Sequence, residues 1–135
     1  MQSIKLDHIP TTADDIKVGD IFACSWGATM LMVDYYKVIS RTKCYVTIRE
    51  LNTVEESTGF LSGTCMPVVD EFADYSSCYT DARFEDKDGK VYAQYRVKIS
   101  DYKDGEGNRR PCLKIKAWKT AYPWNGSPKS FNHCD

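Results

Sequence analysis

The chain lacks most of the signatures that would assign it a chemistry. Histidine occurs only twice, at His8 and His133, and no Cys-x-x-Cys pair is present. The usual spacings of zinc and dithiol sites are therefore missing. There is no Gly-rich phosphate loop, no dinucleotide fingerprint and no Gly-x-Ser-x-Gly elbow. The carboxylates Asp14–Asp15 and Glu55–Glu56 come as adjacent pairs, and neighbours on a strand or helix point apart rather than forming an acid–base pair. No run of about 18 apolar residues exists, so no membrane-spanning helix is expected. Met1 to His8 has no apolar core of a secretory signal. The expectation is a cytoplasmic protein that does not engage a membrane. Its six cysteines, Cys24, Cys44, Cys65, Cys78, Cys112 and Cys134, are read as free and mostly buried thiols.

What is present suits one β-rich domain. The 135 residues are 42% hydrophobic, with nine Tyr, five Phe and three Trp. A chain of this length buries roughly two-thirds of its unfolded surface and needs no staples. Residues 1–17 read as an arm or short helix, with Pro10 and Thr11-Thr12-Ala13-Asp14-Asp15 as an N-terminal helical turn. Residues 18–135 read as a single domain. Lys17 to Asp20 is a turn into a strand from Ile21 to Cys24, and 29–39 is a second strand. Cys44 to Arg49 alternates, with Cys44, Val46 and Ile48 facing in. Residues 52–62 and 70–82 read as loops, and Gly63 to Val69 as a short strand placed at an edge by Pro67.

The second half alternates most clearly. Asp88-Gly89 marks a hairpin turn. Val91, Ala93, Tyr95, Val97 and Ile99 face in, residues 101–110 form a flexible tip, and Leu113, Ile115 and Ala117 face in on the return. Short strands without βαβ alternation predict a mainly β fold, a small antiparallel barrel or strongly bent sheet of SH3-like type.

Period-two geometry also sets the candidate site. Tyr92, Gln94, Arg96 and Lys98 share one face of their strand, and Lys114, Lys116 and Trp118 share the facing one, with Arg109 and Arg110 extending the basic region. Cations interleaved with rings suit phosphates and bases. They suit a protein partner equally, because Trp, Tyr and Arg dominate interface hot spots. Charge is uneven along the chain: residues 1–80 hold 6 Lys and Arg against 11 Asp and Glu, and residues 81–135 hold 12 against 8. Trp118, Tyr122, Trp124 and Phe131 form an aromatic group that either closes one end of the barrel or anchors a partner. Met30, Met32 and Trp124 are further candidate protein contacts. Two weaker options are a Cys65 nucleophile served by a histidine and a metal site of His133 and Cys134 with His8 or Cys24. No catalytic residue, metal or cofactor is expected.

Val18-Gly19-Asp20-Ile21-Phe22, Ser25-Trp26-Gly27 and Val33-Asp34-Tyr35-Tyr36-Lys37-Val38, with the close Trp124-Asn125-Gly126-Ser127-Pro128, resemble a group of small proteins of bacterial phages and mobile elements. The group usually carries a polar run after Ser-Trp-Gly, where this chain has Ala28-Thr29-Met30-Leu31-Met32. The resemblance implies a host-cytoplasm setting and no particular reaction. The expected function is non-enzymatic binding and inhibition of a host protein, antiviral defence proteins included. The alternatives are nucleic-acid or nucleotide binding on the 91–118 hairpin and a cysteine-dependent enzyme.

Overall fold

The computed structural model describes residues 2–27, 30–76 and 82–132. Nine strands are described: β1 (Ile21–Trp26), β2 (Met32–Arg41), β3 (Tyr45–Gly59), β4 (Ser62–Phe72), β5 (Arg83–Glu85), β6 (Val91–Lys103), β7 (Arg109–Lys116), β8 (Lys119–Pro123) and β9 (Lys129–Asn132). Their ladders are antiparallel. Strands β1, β2, β3, β6, β7 and β8 close into a six-stranded barrel, because β6 pairs with β3 along 94–98 and with β7 along 99–103. Strands β4 and β9 extend the sheet from β3, and β5 adds to β6. The mainly β, small-barrel expectation is met.

Alternation builds two cores, one on each face of β1 and β2. Phe22, Cys24, Tyr36 and Val38 point into the barrel and pack with Val46, Ile48, Val97 and Leu113. Ile21, Ala23 and Tyr35 point the other way, under Leu51, Cys65, Met66, Trp124 and Phe131. A strand buried on both faces can hold apolar residues at every position, which is the pattern of Ile21-Phe22-Ala23-Cys24.

The N-terminal arm closes one barrel end. Its helical turn is a single 3-10 turn, Ala13–Asp15, followed by Ile16, which is buried in the barrel core. The Arg41 guanidinium donates to the carbonyls of Asp14 and Ile16 and holds the plug in place. Further back, His8 bridges Asp20 through Nδ1 (2.8 Å) and Asp15 through Nε2 (3.1 Å). The Ile4 N–H reaches the Gly126 carbonyl at 2.9 Å.

Several element expectations need correction. Residues 52–62 are a β-hairpin, the tip of β3 and β4, rather than a loop. Both of its faces meet solvent from Thr53 to Leu61, so no buried stripe betrays the strand. Strand β4 runs on to Phe72, into the segment expected to be a loop, and Pro67 is buried opposite Thr53. Strand β2 is described from Met32, with Leu31 in an isolated bridge to Asn132, and position 29, where the strand is expected to begin, lies outside the described residues; the β6–β7 tip shrinks to 104–108. Cys44 is exposed because β3 begins one residue later, and Ala117 is exposed in the β7–β8 turn.

Candidate functional site

The outward side of β6, β7 and β8 is the candidate binding face. Leu113 points into the barrel, so Lys114, Cys112 and Arg110 point out. Cross-strand pairing sets Cys112 beside Ser100, Arg110 beside Tyr102, and Lys114 beside Thr120. Arg96 and Lys98 lie on the outward side of β6, with Lys98 opposite Tyr45 and the Arg96 guanidinium 4.0 Å from the centre of the Tyr45 ring. Tyr102 and Tyr122 meet edge to face at 5.4 Å while staying 39% and 46% exposed. The result is a strand surface where rings and cations alternate.

The expected membership changes in detail. Arg96, Lys98 and Lys114 share this face, are exposed, and make no ion pair among the described residues. Arg109 pairs with Asp101 at 3.0 Å and Arg110 with Asp104 at 2.9 Å, so both are largely spent within the hairpin. Lys116 lies past a bulge, opposite Lys119. Tyr92 sits apart, in a cluster where Arg49 stacks 4.3 Å above its ring and Phe72 packs at 5.8 Å. Trp118 is 59% exposed and leans on Trp26 at 5.5 Å, at the open end of the barrel. Trp124 is not a contact residue: it is 1% exposed, packs edge-on against Tyr35, and donates its indole N–H to the Ser127 carbonyl. Phe131 is buried beside it, so of the aromatic group only Trp118 and Tyr122 are available to a partner. Met30 and Met32 are half-buried. Tyr122 belongs to the aromatic group expected from sequence, whereas Tyr45 and Tyr102 carry no sequence signal of their own. Tyr102 falls in a stretch read as a flexible tip, and Tyr45 joins the face only through the β3–β6 pairing that closes the barrel.

The weaker chemistries find little support. Cys65 is buried and lies 3.6 Å from the Tyr35 hydroxyl, and burial raises its pKa, which keeps the thiol protonated. His8 is engaged by Asp15 and Asp20 instead of a thiol. His133 and Cys134 lie outside the described residues, and among the described residues no group of three or more His, Cys, Asp and Glu could hold a metal.

The barrel end away from the Ile16 plug is polar. Lys119, 2% exposed, donates to Asp34 Oδ2 at 2.6 Å, and the Trp26 indole N–H donates to the same oxygen at 2.7 Å. Tyr36 faces Glu50 across the β2–β3 ladder and stacks edge-on against Tyr95 at 5.9 Å. Burial, reinforced by Asp34, pushes the Glu50 carboxyl up to about 7. Burial, with Asp34 and Glu50 adding, likewise raises the Tyr36 hydroxyl. The sequence carries a signal for this end: Asp34 and Glu50 stand at inward positions of otherwise apolar alternation.

Fold and surfaces together define a small closed β-barrel with one plugged end, one polar end and a basic aromatic side. The chain matches no protein-family model, no curated protein and no solved structure.

Proposed function

We propose that the protein is a non-enzymatic binding protein that captures a protein partner on the outward face of β6, β7 and β8. The observation that carries this reading is the exposed Tyr102–Tyr122 pair, set among Arg96, Lys98 and Lys114. Tyrosine supplies large contact area at low entropic cost, arginine is enriched at interface hot spots, and unpaired cations steer a partner with an acidic surface. The resemblance to phage and mobile-element proteins supports a bacterial host cytoplasm as the setting. It also supports inhibition of a host protein, an antiviral defence protein included, as the outcome.

Nucleic-acid binding is the second reading, favoured by the same alternation of rings and cations. Charge supports it less than it supports a protein partner. With Arg109 and Arg110 paired internally, three exposed cations remain, where a duplex-binding surface commonly neutralises about 6–10 phosphates. The net charge of −1 adds no general attraction for a polyanion.

Native mass spectrometry of the protein gently purified from a bacterial host tests the proposal. Wild type is expected to carry a protein partner, and the triple reversal Arg96→Glu, Lys98→Glu, Lys114→Glu to lose it while keeping its thermal midpoint. A partner retained by the folded triple variant, or a nucleic acid in its place, overturns the proposal.

A further inference from the structure

Among the described residues, the polar barrel end holds a buried hydroxyl without a hydrogen-bond partner beside a carboxyl without an ion pair. The Tyr36 side chain is fully buried, yet its hydroxyl has no hydrogen-bond partner. An unpaired buried hydroxyl costs about 1–3 kcal/mol, so such groups are rare without a reason. The Glu50 carboxyl, directly across the ladder, makes no hydrogen bond or ion pair among the described residues. The single local ammonium, Lys119, is committed to Asp34, so two carboxylates share one cation. The end is reachable from solvent: the Asp34 side chain is 20% exposed, and Glu50, Trp26 and Tyr95 are half-buried.

We propose that this barrel end is a binding site for one organic cation, a primary ammonium or guanidinium group, held by Glu50 and the Tyr36 hydroxyl between aromatic walls. Four features select that chemistry. The uncompensated charge is a carboxylate, which repels anions. A tyrosine hydroxyl can accept one N–H of the ligand while donating its own proton to Glu50. Ring faces attract ammonium groups, as the Lys119 Nζ at 5.2 Å from Trp26 and 5.4 Å from Tyr36 already shows. A divalent metal does not fit, because the donor set is too small and Lys119 stands beside it. The site is separate from the outward face of β6–β8 and does not depend on the function proposed for that face.

The groups that face Glu50 electrostatically are Asp34, which disfavours its ionisation, and Lys119, which favours it. A bound cation adds a second favourable charge, so binding expels the proton that Glu50 holds near neutral pH. Affinity is therefore expected to be higher at pH 8 than at pH 6.

The test is titration with n-butylammonium chloride, followed by the indole N–H resonance of Trp26, which reports on Asp34. The proposal expects a saturable shift at pH 8, up to about tenfold weaker at pH 6, at least tenfold weaker in Glu50→Gln, and several-fold weaker in Tyr36→Phe. Tyr36→Phe is expected to leave unliganded stability equal or higher, which separates a ligand-binding hydroxyl from a structural one. Should Glu50→Gln not fold, the pH 6 and pH 8 titrations of wild type carry the test. A second arm uses the peptide acetyl-Gly-Lys-Gly-amide: tighter binding than butylammonium assigns the cation to a partner's side chain, and weaker binding assigns it to a free small amine. A shift that does not saturate, or that sodium chloride reproduces, or that is the same at pH 6 and pH 8, overturns the site.

Discussion

At the scale of single residues, the molecule is governed by where it places charge against burial. His8 presents both ring nitrogens to carboxylates, Nδ1 to Asp20 and Nε2 to Asp15. Two acceptor partners require two N–H donors, so this geometry favours the imidazolium, and the hydrogen bonds that His8 donates to Asp20 and then to Asp15 raise its pKa above the ordinary 6.5. The Asp15 carboxyl is lowered below 3.8, first by the Thr11 N–H and then by His8. A raised histidine stabilises below 6.5 and loses that contribution as pH climbs through its folded value, and a lowered carboxylate stabilises above 3.8 and loses it on acidification. The arm is thus held most firmly between about pH 4 and 6.5. Amide exchange at Ile4, whose N–H bonds Gly126, is expected to quicken between pH 6 and 8 beyond its intrinsic pH dependence, and His8→Ala is expected to abolish that excess. An excess that persists in the variant would assign the change elsewhere. Glu50 behaves oppositely to an exposed carboxylate: its folded pKa of about 7 exceeds the ordinary 4.5, so stability falls as pH rises between them. Glu50→Gln is expected to stabilise the unliganded protein at pH 8 by on the order of 2 kcal/mol, and by much less at pH 5, in denaturant melts. Thiol reactivity follows burial as well. Burial raises Cys24 to about 11 and raises Cys65 and Cys112. A maleimide read by peptide mass mapping is expected to modify exposed Cys44 in the native state, and those three only on unfolding.

At the scale of elements, legibility tracked burial. Strands with one face in a core announced themselves: Val46 and Ile48 on β3, and Ala93 and Val97 on β6, fall inside as their alternation requires. The hairpin from Thr53 to Leu61 left no such trace because solvent meets both of its faces, and its residues looked like a polar loop. The same reasoning explains Trp124, whose aromatic character fits a contact as well as a core. Only the packing of β4, β9 and the C-terminal turn over the outer face of β1–β2 decides for the core. Backbone spacing in the hairpin is tight at one position and open at the β6–β7 tip. A Cβ at Gly63 would collide with the Glu56 carbonyl across the ladder, whereas one at Gly105 meets nothing. Gly63→Ala is expected to lower the thermal midpoint by several degrees and Gly105→Ala to leave it nearly unchanged. Equal midpoints would mean that β3 and β4 have room to separate there.

At the scale of the whole molecule, the barrel distributes three roles around one closed sheet. The arm and Ile16 plug one end, the Asp34–Glu50–Lys119 group occupies the other, and β6–β8 turn tyrosines and cations outward. The surplus of Lys and Arg in residues 81–135 was legible in the sequence. Which cations remain available was not, because the pairing of Arg109 with Asp101 and of Arg110 with Asp104 depends on hairpin geometry. The central claim, that the face bearing Tyr102 and Tyr122 is a protein-binding surface, is tested most directly by photo-crosslinking in bacterial cells. A benzophenone amino acid replaces Tyr122 in one strain and the exposed Val18, on the turn before β1, in another. The account predicts a discrete protein adduct from position 122, absent from position 18 and lost when Lys98 and Lys114 are reversed to Glu. No adduct at 122, an adduct to nucleic acid, or equal adducts from both positions would contradict it.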